Sequence, residues 1–240
     1  MLHTNPALFL LKKYKYWSEL RFWKRNLADI EAWCHGEVKE LYERPSPARD
    51  LRATRGSSTR DIAVLTWFEV QKEKYLLDLG LKPDSFAGMK LLDIGSGPFA
   101  SALAFQDCEV YCLDSLLGDY LKMGYPVHYY DGARFIQGFS EFIPISGGAF
   151  DAVISVNAMD HVDNLENTSL EIRRVLKPGG RLRMHLHYHR RTRTEPIEMN
   201  DLVVAAAFSW RKDFHKVSES NRKMGTTAAR GESFTLWSTF

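Results

Sequence analysis

The sequence predicts an α/β fold, a parallel sheet with helices on both faces, and three observations predict it. Short apolar runs at 90–94, 109–113 and 153–156 are rich in Leu, Ile and Val, as strands buried on both faces of a parallel sheet must be. Stretches with helical spacing of apolar residues alternate with these runs, at 62–79, 115–123 and 167–176, which is the rhythm of strand–helix–strand units. The first run closes on an acid and two glycines, Asp93-Ile94-Gly95-Ser96-Gly97. Glycine lets the chain turn sharply and approach a ligand closely.

Residues 1–45 read as a pair of helices, with Tyr14, Tyr16, Trp17, Phe22, Trp23, Trp33 and Tyr42 among basic residues. Such interleaving can bind nucleic acid. Here Glu31, Glu37, Glu40 and Glu43 break the basic stripe, which favours helices that pack their aromatics on the core. Pro45 and Pro47 end this segment. A polar loop with Arg52, Arg55 and Arg60 follows. The helix over 62–79 is closed by Gly80 and Pro83, giving an N-terminal helical extension at 1–80 and a main domain at 81–240.

Downstream of 90–94, the apolar residues 100–105 read as a helix and 109–113 as the second strand. Residues 133–138 read as the third strand, 153–156 as part of the fourth and 181–188 as the fifth. The fifth alternates Leu182, Met184, Leu186 and Tyr188 on one face with Arg183, His185, His187 and, just beyond it, His189 on the other. Asn200 caps a helix over 201–210. Residues 214–217 and 233–237 read as the final strands, and 218–232 as an exposed, polar connection.

The chain of 240 residues has a net charge of +2 and three cysteines. That balance does not mark a nucleic-acid or membrane partner. The cysteine number and spacing fit neither a disulfide framework nor a zinc site. The apolar stretch at 7–11 is about a third of a membrane-spanning length, and its lysines follow rather than precede it, against a signal peptide. These features predict a cytoplasmic protein with no membrane partner.

The turn at 93–97 indicates a nucleoside-containing cofactor at the carboxyl end of the sheet. Asp114, at the end of the second strand, has the place of an acid that accepts from both ribose hydroxyls. A carboxylate at Asp93 would repel a pyrophosphate but suits the cationic amino-acid end of S-adenosylmethionine (SAM). Asp93-x-Gly95-x-Gly97 resembles the first motif of class I SAM-dependent methyltransferases, with Phe99 in place of the third glycine. The resemblance runs over about residues 85–190. Gly148-Ala149-Phe150-Asp151-Ala152-Val153-Ile154-Ser155 is similar to the family's fourth strand, Asn157-Ala158-Met159-Asp160-His161-Val162 to the loop after it, and Arg173-Arg174-Val175-Leu176-Lys177-Pro178-Gly179-Gly180-Arg181-Leu182 to the following helix–turn–strand segment.

The resemblance implies a Rossmann-like three-layer sandwich with a seven-stranded, mostly parallel sheet in the order 3-2-1-4-5-7-6. It implies a SAM site made by Asp93, Gly95, Ser96, Gly97, Asp114, Ser115, Phe139, Ser140 and Asn157, with Phe139 standing where the family often has an acid for adenine. Arg55 or Arg60, in a lid, would reach the cofactor carboxylate or the acceptor. The expected activity is O-methylation of a small-molecule, sugar or glycan-like acceptor. The alternatives are a non-catalytic SAM-binding partner protein and an RNA methyltransferase. The loop at 157–160 lacks the Pro-Pro-aromatic sequence of amino-directed base methyltransferases, and no cysteine follows Cys112 for pyrimidine chemistry. Histidine is the side chain suited to act as a base at neutral pH. His161 ranks first for that role and His187 second, with His185 and His189 lining the substrate side. A metal held by His185, His187 and Asp160 is weighed and set aside, because no further acid is fixed nearby by spacing.

Overall fold

A computed structural model describes residues 6–48, 58–223 and 226–240, with side chains from residue 10 onward. Seven strands form one sheet: β1 (Lys90–Ile94), β2 (Glu109–Asp114), β3 (Ala133–Gln137), β4 (Phe150–Val156), β5 (Leu176–Tyr188), β6 (His215–Ser220) and β7 (Ser233–Ser238). Their order is β3-β2-β1-β4-β5-β7-β6, as the resemblance implies. β1 to β5 pair in parallel, and β7 runs antiparallel to both β5 and β6. The central strands are buried almost throughout, which is why they read as unbroken apolar runs.

Five helices flank the sheet: α1 (Pro6–His35), α2 (Thr59–Leu79), α3 (Leu117–Met123), α4 (Leu165–Val175) and α5 (Asp201–Ala207). Two cores fill the space between the layers. One joins Leu27, Ile30, Trp33, Val64 and Trp67 to Leu91, Cys112 and Ile154. The other joins Ile172, Val175, Val204 and Phe208 to Leu92, Val153 and Met184. The N-terminal helices therefore share a hydrophobic core with the sheet. Ser58 accepts from the Asp61 N–H to cap α2, and Asn164 and Asn200 cap α4 and α5 in the same way. Each cap contributes about 1 kcal/mol.

Several elements differ from the sequence reading. The N-terminal segment is one long helix rather than two, because no Gly or Pro interrupts it between Ala7 and His35. It stops at Gly36, whose φ of 83° leaves the helical region. A short hairpin, Glu40–Leu41 against Arg44–Pro45, follows. The helix expected at 100–105 is a single 3-10 turn, Ser101–Ala104, so it supplies no helix N-terminus to the glycine turn. β5 starts at Leu176, five residues before expected, with the Lys-Pro-Gly-Gly segment accommodated by a register shift against β4. Within the expected exposed connection, β6 extends to Ser220 and a second small hairpin pairs Arg222–Lys223 with Thr226–Thr227.

Candidate active site

At the carboxyl ends of β1, β2 and β4, beneath α1, lies a cavity of about 1270 Å³. The turn after β1 forms its floor. Gly95 has a φ of 72°, and a Cβ there would come within 2.3 Å of the Ala158 Cβ. Both the backbone shape and the close approach of the loop after β4 thus require glycine. Gly97 (φ 64°) lies under the Trp23 indole of α1, 3.1 Å from where a Cβ would stand. Phe99, in place of the motif's third glycine, is buried and packs edge-on to Tyr125.

Asp114 organises this turn. Its Oδ2 accepts from the Gly97 N–H at 2.9 Å, and its Oδ1 accepts from the Leu116 N–H at 2.8 Å and the Tyr120 hydroxyl at 3.2 Å. Burial raises its pKa against the pull of these donors. Asp93 stands behind it with no solvent exposure, and neither of its oxygens receives a well-formed hydrogen bond. Burial pushes its pKa up to about 7, opposed by the Tyr75 hydroxyl and the Lys74 ammonium. A buried carboxylate without a satisfying donor is costly, and a cationic ligand would relieve it. Gly95 and Gly97 line the cavity, whereas Asp93 stands behind them outside its lining; an unsatisfied carboxylate directly behind the turn fits the cationic amino-acid end of SAM.

The remaining predicted cofactor residues fall around the same space. Ser96, Ser115, Phe139, Ser140 and Asn157 all line the cavity. Asn157 sits at a φ of 55°, a left-handed conformation that Asn tolerates better than most residues. Its Oδ1 is buried without a partner. Phe139 is exposed, a free ring face at the rim. The Ser140 hydroxyl already meets Thr168 Oγ1 at 3.1 Å and Glu141 Oε2 at 3.2 Å.

His161 also faces the cavity. Its Nδ1 lies 2.8 Å from Glu19 Oε1 on α1, and its Nε2 is 3.9 Å from both Asp160 Oδ2 and Glu195 Oε1. Burial lowers its pKa, but the Glu19 hydrogen bond and the charges of Asp160, Glu19 and Glu195 outweigh it and raise the net value. Lys15, one turn before Glu19, binds the His161 carbonyl and Asp163. Lys15, Glu19 and Trp23 thus form one face of α1 over the site. Their spacing of four residues puts them on one face of the helix, but what that face covers is set by tertiary packing.

The other predicted histidines are placed differently. His185 is buried against Phe234, with its Nδ1 unpartnered and its pKa lowered to about 4 by burial. His187 also stacks on Phe234, 4.8 Å from that ring, and its Nε2 lies 3.2 Å from Glu232. Its pKa is lowered, chiefly by burial. His189 is buried 3.1 Å from Asp160, and that hydrogen bond pushes it up to about 9. None of these three lines the cavity. Arg60 pairs with Glu31 at 2.5 Å and also stands outside the cavity lining. Arg55 lies outside the described residues.

Residues 92–184 match the family described as methyltransferase domain. Over 118 residues the chain is 36% identical to the sterol 24-C-methyltransferase ERG6B of Gibberella zeae, covering 45% of this chain and 29% of that protein. It is 28% identical over 141 residues to an uncharacterized methyltransferase of Mycobacterium ulcerans, covering 58% and 50%. The chain thus spans between under a third and about half the length of these curated relatives. The crystal structure of an S-adenosylmethionine-dependent methyltransferase from Mesorhizobium loti superposes with a TM-score of 0.52 at 12% identity, covering 71% of this chain and 99% of that one. The chain thus has the class I SAM-dependent methyltransferase fold, and its residues 92–184 match a methyltransferase domain. SAM is the cofactor that such a domain uses.

Proposed function

We propose that this chain transfers a methyl group from SAM to a hydroxyl of a small-molecule acceptor. The observation that carries the reading is the joining of two groups in one cavity: the Asp93–Asp114 glycine turn and the Glu19–His161 pair. Bound SAM supplies a methyl group on a sulfonium, open to in-line attack. The backbone of 95–97 and Asp114 would hold its amino-acid and ribose parts, and Phe139 offers a face to its adenine.

His161 carries the proton chemistry in this reading. Glu19 accepts from Nδ1–H and fixes the ring, so Nε2 is the nitrogen that takes the acceptor's proton. The cavity also admits the aromatic faces of Trp23, Tyr42 and Trp67, which suits an acceptor with an apolar or ring-shaped body. The sterol named for the Gibberella relative is one such body, and sugars and glycans offer hydroxyls on weaker apolar faces. Three cysteines without a disulfide among the described residues suit a cytoplasmic setting.

The test is label transfer from methyl-labelled SAM to pooled sterols, sugars, phenols and RNA. Transfer to a hydroxyl of a small molecule is the expected result. Transfer to RNA, or tight SAM binding with no transfer to any pool, would overturn it. Binding itself is checked by calorimetry on Asp114→Ala. Charge-assisted hydrogen bonds contribute about 1.5–3 kcal/mol each, so two of them imply a loss of SAM affinity on the order of 10²-fold or more. Unchanged affinity would remove Asp114 from the site.

A further inference from the structure

We infer that Asp160, His187, His189 and Glu195 form a binding site for one divalent transition-metal ion, beside the methyl-transfer cavity. Each of the four offers a ligand atom, and these atoms all lie within 4.8 Å of one another. Around an ion with bonds of about 2.0–2.2 Å, tetrahedral ligand atoms are separated by about 3.5 Å, so the widest pairs need to close by up to about 1.5 Å. They come from three separate places: the 3-10 turn Met159–His161 after β4, the end of β5, and the loop that follows it.

The surroundings are built to hold such ligands. The Arg190 carbonyl lies 2.7 Å from His189 Nδ1. With one ring proton held there, the ion would displace the other from Nε2, which now meets Asp160 Oδ2 at 3.1 Å, and would take the freed lone pair. His189 and Asp160 are both buried, so their ligand atoms meet little competing water. The Thr192 hydroxyl donates to Glu195 Oε2 at 2.8 Å and accepts from the Glu195 N–H at 2.9 Å, which fixes that carboxylate at the rim. Glu232 fixes His187 through Nε2. Outer partners of this kind orient the rings and carboxylates of metal sites. Two carboxylates and two neutral imidazoles sum to a charge of −2, which a divalent ion neutralises.

The donor set decides which ion. Two imidazole nitrogens favour Zn²⁺, Co²⁺, Ni²⁺ or Fe²⁺ over Mg²⁺ and Ca²⁺, which take oxygen. His185 does not join the set, although it shares a strand face with His187. Its ring nitrogens are not among the ligand atoms that lie within 4.8 Å of one another. Glu195 is the acid that sequence spacing did not supply.

The test is metal binding by the full chain after chelation, and it does not depend on methyl transfer. Titration with Co²⁺ should give a visible d–d band that saturates at about one equivalent and is displaced by Zn²⁺, whereas Mg²⁺ should leave it unchanged. Glu195→Gln and His189→Ala should each weaken binding at least tenfold, and His128→Ala, far from the cluster in sequence and on another element, should not. Glu195 lies on a surface loop, so its variant keeps the test open should His189→Ala fail to fold. No saturable Co²⁺ band, or a band that survives Glu195→Gln at full affinity, would overturn the inference. The label-transfer assay can fail or succeed independently of either result.

Discussion

Replacing His161 with alanine is expected to lower kcat by about 10²–10⁴-fold, the usual cost of losing a general base, and to leave SAM affinity nearly intact. The ring's hydrogen-bond and ion-pair partners do not include the cofactor turn. They are Glu19 on α1 and, at 3.9 Å, Asp160 and Glu195. Glu19→Gln should produce a smaller loss, because the amide oxygen can still orient Nδ1–H. Single-turnover rates with saturating SAM check both variants. If His161→Ala keeps the wild-type rate on the true acceptor, the reaction runs on positioning of the two reactants alone, and no base is needed.

Asp93→Asn should make the ligand-free protein more stable while weakening SAM binding. The carboxyl of Asp93 is raised to about 7 in the folded chain, against about 3.9 when unfolded. Below about pH 4 the group is protonated in both states and has no effect. Between about pH 4 and 7 the unfolded chain holds fewer protons than the folded one, so wild-type stability falls as pH rises. Above 7 the full penalty is present, on the order of 4 kcal/mol at one pKa unit per 1.36 kcal/mol. An amide at the same place escapes ionisation but remains poorly bonded, which costs about 1–3 kcal/mol. The net gain should raise Tm by about 5 °C at pH 8, and at pH 4, where only the amide's cost remains, the variant should melt lower than the wild type. A cationic ligand holds Asp93 ionised, so wild-type SAM affinity should fall about tenfold per pH unit below 7, and affinity of the variant should not. Melting curves and calorimetry across pH 5–8 check both, and a wild-type affinity flat across that range would reject the pairing.

The cofactor turn was legible because it is local, and the strand order followed from the family resemblance that the turn carries. An apolar run of five residues that ends in Asp-x-Gly-x-Gly has few other uses, and the backbone at Gly95 and Gly97 needs the left-handed conformation observed. The helix expected at 100–105 failed because apolar content alone does not set length. The segment is held between Pro98 and Asp107, whose φ of 55° reverses the chain, and only one turn fits. Glu19 and Glu195 were illegible for a different reason. Each reaches the site through the tertiary path of its element, α1 crossing the sheet edge and the loop after β5 folding back, and no spacing in the sequence encodes those paths. The period of two along β5 placed His185, His187 and His189 on one face but could not tell that only His187 and His189 come together with Asp160 and Glu195.

The long first helix carries a cost during synthesis. Its Trp23 carbonyl waits for the Tyr125 hydroxyl, 102 residues later. Its Glu19 waits for His161, 142 residues later. At about 5–20 residues per second on the ribosome, α1 spends roughly 5–30 s outside the exit tunnel before either partner exists. Over that time Trp23, Leu27, Ile30 and Trp33, apolar side chains that end against α2 and the sheet, have no core to enter. In a nascent chain of this design the aromatic helix emerges well before the sheet that completes its shelter.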